Sequence, residues 1–208
     1  MNESTSTTAG LPSPPRNLNL ELQTILQPLD LAGLFPVVQP LEIELGCGDA
    51  SFLVKYAVAH PEQNFIGVER LGGRIRKLDR KGRRAGLTNL RGVRIESGYF
   101  LEYLVPPKSA TALHVYFPDP WPKRKHVKNR FINERFTQIA ERVLQPGGTV
   151  YLRTDHVEYF EQMTTVFAAS AAFRPIATPE ELSAVLTDFE AEFLKQGLQT
   201  NRAAYRLV

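Results

Sequence analysis

The chain has 208 residues, 43% of them apolar, and a formal net charge of +3. That length suits one ordinary domain burying roughly 70% of the surface its unfolded form exposes, and no apolar run approaches the ~20 residues a membrane helix needs. The single cysteine, Cys47, excludes an intramolecular disulfide and a cysteine-rich metal site, and the histidines at 60, 114, 126 and 156 share no ligand spacing.

Residues 1–16 are polar and rich in Ser, Thr and Pro, so a disordered tail is expected ahead of one domain over 17–208. No positive segment followed by an apolar stretch occurs there, so no secretory signal is expected and the cytoplasm is the expected location. The charge is uneven. Of the 25 Lys and Arg, ten fall within 70–94 and five more within 123–130, a window with no acid. Two such blocks favour a surface for a polyanion.

No regular element is assigned to 17–35. Segment 40–45, "PLEIEL", ends at Gly46 and reads as a strand, and 50–60 has helical apolar spacing stopped by Pro61. A strand over 64–69 leads to a helix over 71–86, with Ile75, Leu78 and Ala85 on one face. Arg76, Arg80, Arg83 and Arg84 share the other face by their i, i+4, i+7, i+8 spacing. A strand over 89–95, a short helix over 99–104 and a strand over 111–117 follow, the last running into "FPDPWPKRKH". Beyond it come a helix over 133–144, a "PGG" turn, a strand over 149–154, and a helix over 157–171. The pattern closes with "FRPIA", an acidic helix from Pro179, and a last strand over 203–208. Strands alternating with helices define an α/β fold with a mostly parallel, Rossmann-like sheet.

In such sheets ligands bind at the carboxyl ends of the strands. Gly46 and Gly48 let the backbone approach a ligand there. A dinucleotide fingerprint is excluded: Ser51 occupies its third glycine position, and Asp49 sits where a pyrophosphate would lie. Glu44, Asp49, Glu69 and Glu96 surround the crevice instead. S-adenosylmethionine, with its cationic sulfonium and ammonium groups and its ribose diol, fits them as cofactor. Glu69 lies about 20 residues past the glycines, the place of the ribose-binding acid.

The pieces "ELGCGDASF", "HPEQNFIGVE", "VYFPDPWPKRKHVKNRF", "LQPGGTVYLRTD" and "TDFEAEFLKQG" resemble the bacterial tRNA (guanine-N7-)-methyltransferases. The resemblance implies a class I methyltransferase sheet of seven strands, the last antiparallel, with helices on both faces. It implies that Glu44, Glu69 and Glu96 line the pocket for S-adenosylmethionine and that Asp119 is the acid at the catalytic site, contacting both donor and guanine. It further implies that Lys123, Asp155 and the stretch Thr187, Asp188, Phe189, Glu190 hold guanine 46 of the tRNA variable loop. Ala50 stands where that family usually has a third glycine, and Glu96 where it usually has aspartate.

Guanine N7 carries a free lone pair, so the transfer needs alignment and charge stabilisation rather than a base. Asp119 can supply both, and Pro118 and Pro120 restrict the backbone around it. Trp121 reads as a packed turn residue. Arg76, Arg80, Arg83, Arg84, Lys125, Lys128 and Arg130 are the candidate contacts to the RNA backbone. Two other readings stay open: an amino-methyltransferase acting on an exocyclic nitrogen, and a non-catalytic RNA-binding module. The expected partner is tRNA, with no membrane and no metal, and the protein is a monomer or a homodimer.

Overall fold

A computed structural model describes residues 17–208, so the expected tail over 1–16 lies outside the described residues. The chain begins with β1 (Asn19–Leu20), β2 (Leu41–Leu45), α1 (Ser51–Ala59), β3 (Asn64–Glu69), α2 (Gly72–Arg84) and β4 (Leu90–Arg94). Then come α3 (Ser97–Tyr99), a π-helical turn over Phe100–Leu104, and β5 (Ala110–Tyr116). A 3-10 segment over Arg124–Asn129 leads to α4 (Glu134–Val143), β6 (Leu144–Thr154) and α5 (Val157–Ala169). The chain closes with β7 (Phe173–Ile176), α6 (Glu180–Ala184), α7 (Asp188–Lys195) and β8 (Asn201–Leu207).

One sheet runs in the order β1-β4-β3-β2-β5-β6-β8-β7, parallel throughout except for β8. The order reverses between β2 and β5, which sets the ligand crevice beyond Leu45 and Tyr116. Helices cover both faces. On one side Ile43, Ile66 and Leu113 pack with Phe136, Tyr159 and Phe167 of α4 and α5. On the other, Phe65 and Leu90 pack with Phe52, Leu53 and Leu78 of α1 and α2. Among the described residues no helix is long and apolar enough to cross a membrane, and no group of three or more His, Cys, Asp or Glu is placed to hold a metal.

The seven expected strands are present, and β1 is an eighth. Its Asn19 and Leu20 pair with Gly92 and Val93 at the sheet edge. Leu18 anchors it: its amide donates to Asp79 Oδ1 at 2.9 Å, and its side chain lies where a Cβ on Gly82 would intrude. Gly82 therefore takes the buried place on α2 that the apolar spacing assigns to Ala85, which is exposed. The "PGG" turn lies inside β6 as an irregularity, with the register shifting between Ala110 and Ala112. The acidic helix from Pro179 is two short helices, α6 and α7.

Candidate active site

Between β2 and α1 the backbone turns through the left-handed region three times, at Gly46 (φ 72°), Gly48 (φ 56°) and Ala50 (φ 59°). At Ala50 the methyl makes this strained, an arrangement that persists only where the surroundings impose it. Asp49 is not the bare charge of the sequence reading. Its Oδ2 lies 2.7 Å from Lys81 Nζ, and its Oδ1 accepts from the Ser51 amide. Burial pushes the Asp49 carboxyl up, but Lys81 and the Ser51 amide outweigh it and hold the pKa below the usual value.

The other three acids stand at successive strand ends in three different states. Glu44 on β2 is 4% exposed, and its Oε2 is buried with no hydrogen-bond partner. Burial drives its pKa well above the carboxylate range; the Arg153 guanidinium pulls it back only in part, and Asp49 raises it further. Glu69 at the end of β3 spends Oε1 on the Leu71 amide at 2.7 Å, while Oε2 faces Arg74 Nη1 at 3.5 Å. Glu96 caps α3, accepting from the Gly98 and Tyr99 amides at 2.8 and 2.7 Å.

After β5 the proline loop is pinned at both shoulders. Phe117 (φ 51°) and Trp121 (φ 43°) both adopt the left-handed region, so two strained residues bracket the Pro-Asp-Pro unit. The Arg130 side chain underlies the loop: Nε donates to the Pro120 carbonyl at 2.8 Å, and Nη1 to Gln162 Oε1 at 2.7 Å. Its guanidinium carbon lies 4.9 Å from the Tyr159 ring centroid. Arg130 is 2% exposed, which corrects its reading as an RNA-backbone contact. Asp119 itself is exposed at the crest of the loop.

Two cavities meet at Asp119. The larger, about 570 Å³, reaches Glu69, Glu96, Trp121 and Phe131. The smaller, about 180 Å³, reaches Glu44, Gly48, Asp49, Thr187 and Phe189. Gly46, Arg74, Tyr116, Phe117 and Asp119 form the wall common to both.

The remaining candidates divide. Thr187 caps α7 in a capping box with Glu190 and, with Phe189, closes the smaller cavity. Glu190 is fully buried, bonded to Arg153 at 2.7 Å, Arg202 at 2.8 Å and the Thr187 amide at 3.0 Å. Burial pushes its pKa up, yet the Thr187 amide and the Arg153 guanidinium together hold it below the usual value. These bonds make Glu190 a support beneath the site, a revision of its reading as a guanine contact. Asp188 faces solvent beside Lys55, and Asp155 is exposed after β6, lining neither cavity. Lys123, Lys125 and Lys128 are exposed along the 3-10 segment. Arg76, Arg80, Arg83 and Arg84 are exposed on α2, with Arg83 drawn to Asp79 at 3.0 Å.

Four residues at the site escaped the sequence reading. Arg74, Tyr116 and Phe117 belong to the shared wall. Tyr116 is bonded to His114 at 2.7 Å, and His114 in turn meets Glu42 at 2.6 Å. Arg153 ties the carbonyls of Leu182 and Val185 to β6 and lies 4.2 Å from the Tyr116 ring centroid. The alternation Glu42, Glu44 on one strand and His114, Tyr116 on another places all four on one sheet face.

The sheet order, its single antiparallel strand and a crevice lined by strand-end acids define a class I methyltransferase fold. Solved structures agree in fold. The 16S rRNA methyltransferase KamB aligns with a TM-score of 0.59 at 16% identity, over 81% of this chain and 88% of its own. The aminoglycoside resistance methyltransferase NpmB1 aligns with 0.56 at 16%, over 83% and 89%.

Residues 38–204 match the family described as "Putative methyltransferase". The tRNA (guanine-N(7)-)-methyltransferase of Sodalis glossinidius is 37% identical over 169 residues, 79% of this chain and 71% of that protein. That of Halorhodospira halophila is 33% identical over 184 residues, 86% and 80%. Against that of Syntrophotalea carbinolica, 36% identical, the match covers 70% of this chain and 62% of the relative's length. The chain belongs to the tRNA (guanine-N7-)-methyltransferase family.

Proposed function

We propose that this protein transfers a methyl group from S-adenosylmethionine to N7 of guanine 46 in the variable loop of tRNA. One observation supports it above the others: Asp119 stands in the wall shared by two cavities, with Glu69 and Glu96 on one side and Thr187 and Phe189 on the other. The orphaned Glu44 Oε2 fits the donor, because a buried acceptor without a partner is costly unless a ligand supplies a donor or a positive charge. Glu69 suits the ribose diol through Oε2, the oxygen that no amide occupies. Glu96 keeps acceptor capacity beyond its two amides, since a carboxylate offers about four lone-pair sites.

The bound donor supplies an electrophilic methyl. The chain supplies alignment and charge. Guanine N7 is already an acceptor with a free lone pair, so no proton needs removal before transfer. Asp119 accepts from the N1–H and N2–H₂ edge and favours the positive charge that develops on the purine. Its aim is set in advance by Pro118, Pro120 and the Arg130 strut, as electrostatic catalysis requires. Phe117 and Phe189, with ring centroids 6.1 Å apart, offer apolar surface beside the base. Lys123, four residues past Asp119, suits the target guanine, Lys125 and Lys128 suit the flanking phosphates, and the α2 arginines extend the basic surface. In folded tRNA the target base is held by its neighbours, so it must leave them to enter the site.

The test is incubation with unmodified tRNA and isotope-labelled S-adenosylmethionine, followed by mass spectrometry of the digested nucleosides. Labelled 7-methylguanosine is the expected product. Methyl groups on an exocyclic nitrogen, or on no base at all, would overturn the reading.

A further inference from the structure

Arg74 is the one cationic side chain, among the described residues, that lines both cavities; Arg70 reaches only the larger. Five carboxylates line the same space: Glu44, Asp49, Glu69, Glu96 and Asp119. The seven-residue spacing of Arg74 and Lys81 puts both on one face of α2. Lys81 identifies that face, because it reaches Asp49 in the turn after β2. Arg74 therefore projects from the same face, two turns nearer the strand ends. Lys81 is committed to its acid at 2.7 Å, whereas Arg74 is not. Its Nη1 stands 3.5 Å from Glu69 Oε2, long for a hydrogen bond, and its side chain is 46% exposed.

A half-exposed guanidinium held this loosely is free to take an anionic group of a bound ligand. Under the methyl-donor reading, on which this inference rests, the ligand carries two cations and one anion. The sulfonium and the α-ammonium suit the acids. The α-carboxylate suits none of them, and a planar guanidinium matches a carboxylate with two parallel hydrogen bonds. The geometry points to Arg74 as the residue that holds the α-carboxylate of the donor's amino-acid arm. Moving onto that group also frees Glu69 Oε2 for the ribose diol. Arg74 thus selects donors with an intact amino-acid arm over nucleosides that lack one.

The test is calorimetric titration of wild type, Arg74→Gln and Arg74→Lys with two nucleosides. S-adenosylhomocysteine carries the arm, and 5′-methylthioadenosine lacks it. Arg74→Gln should weaken the first by about 10- to 100-fold, the range of a charge-assisted hydrogen bond. The second should stay within about threefold, on the scale of a surface substitution. Arg74→Lys should recover part of the loss. Equal losses for both nucleosides would overturn the inference, because Arg74 would then act through Glu69 and the ribose. Unchanged S-adenosylhomocysteine affinity with a raised KM for tRNA would overturn it too, making Arg74 a phosphate contact. If wild type binds neither nucleoside, the methyl-donor reading falls, and this inference with it.

Discussion

Arg130 Nε donates to the Pro120 carbonyl at 2.8 Å, so a buried guanidinium holds the shoulder of the loop that presents Asp119. The same side chain bonds Gln162 and Glu158 of α5 and lies against Tyr159, coupling the loop to a packed helix. Glu158 is 65% exposed, so that ion pair contributes little by itself. The cost of losing Arg130 lies in the orphaned Pro120 carbonyl and the bond to Gln162. Arg130→Met should destabilise the fold by about 2–3 kcal/mol, the scale for hydrogen bonds to a charged group. Denaturant unfolding measures it. A loss below about 0.5 kcal/mol would return Arg130 to the surface set.

Asp119→Asn keeps the size of the side chain and removes its charge. Asp119 is exposed, so the fold should be unaffected. Single-turnover methylation should slow by about 10²-fold or more, the scale seen when one preorganised electrostatic group is lost. tRNA binding should persist. A near-normal single-turnover rate would mean that the strained loop presents something other than this acid.

The strand-end acids that line the candidate site were legible because strand periodicity exposes strand ends. The alternation in "LEIEL" and the glycines after it place Glu44, and the next strand end places Glu69. What stayed hidden depends on distance in sequence. A two-residue β1 has no period to read, and Leu18 finds its place only against Gly82 and Leu90. Arg130 reads as one more cation in a basic run, since irregular backbone gives no rule for which side chain turns inward. Glu190 lies in a motif that points to the ligand, yet its partner Arg153 is 37 residues away. Charge composition alone cannot separate a guanidinium that meets solvent from one that braces a loop.

The cations that do face solvent should act through salt. Arg76, Arg80 and Arg84 are exposed on α2, whereas Arg83 is engaged by Asp79. If the first three meet tRNA phosphates, each Ala substitution should lower the slope of log affinity against log salt by roughly 0.7–0.9. Arg83→Ala should change it less. Turnover at saturating tRNA should stay near wild type for all four, while Lys123→Ala should slow the chemical step. Filter binding between low and moderate salt reads the slopes. An unchanged slope in the combined triple variant would move the RNA path to Lys125 and Lys128.

Glu44 makes stability and binding oppose each other. Burial raises its folded pKa above the unfolded value of about 4.3, so its charged form is disfavoured by folding. The stability it contributes is therefore fully present below about pH 4. It is lost as the pH rises toward the folded pKa, where ionisation leaves a charge in a site with one oxygen unpartnered. Glu44→Gln cannot ionise and should escape that loss. Thermal unfolding scans should show the variant more stable than wild type near neutral pH, with the difference closing below about pH 4. The same substitution replaces one acceptor oxygen with an amide group that cannot ionise against a bound cation, so S-adenosylmethionine affinity should fall while the fold gains. A variant that is less stable than wild type at neutral pH would show that Arg153 compensates the Glu44 charge in full, and that burial does not set its behaviour.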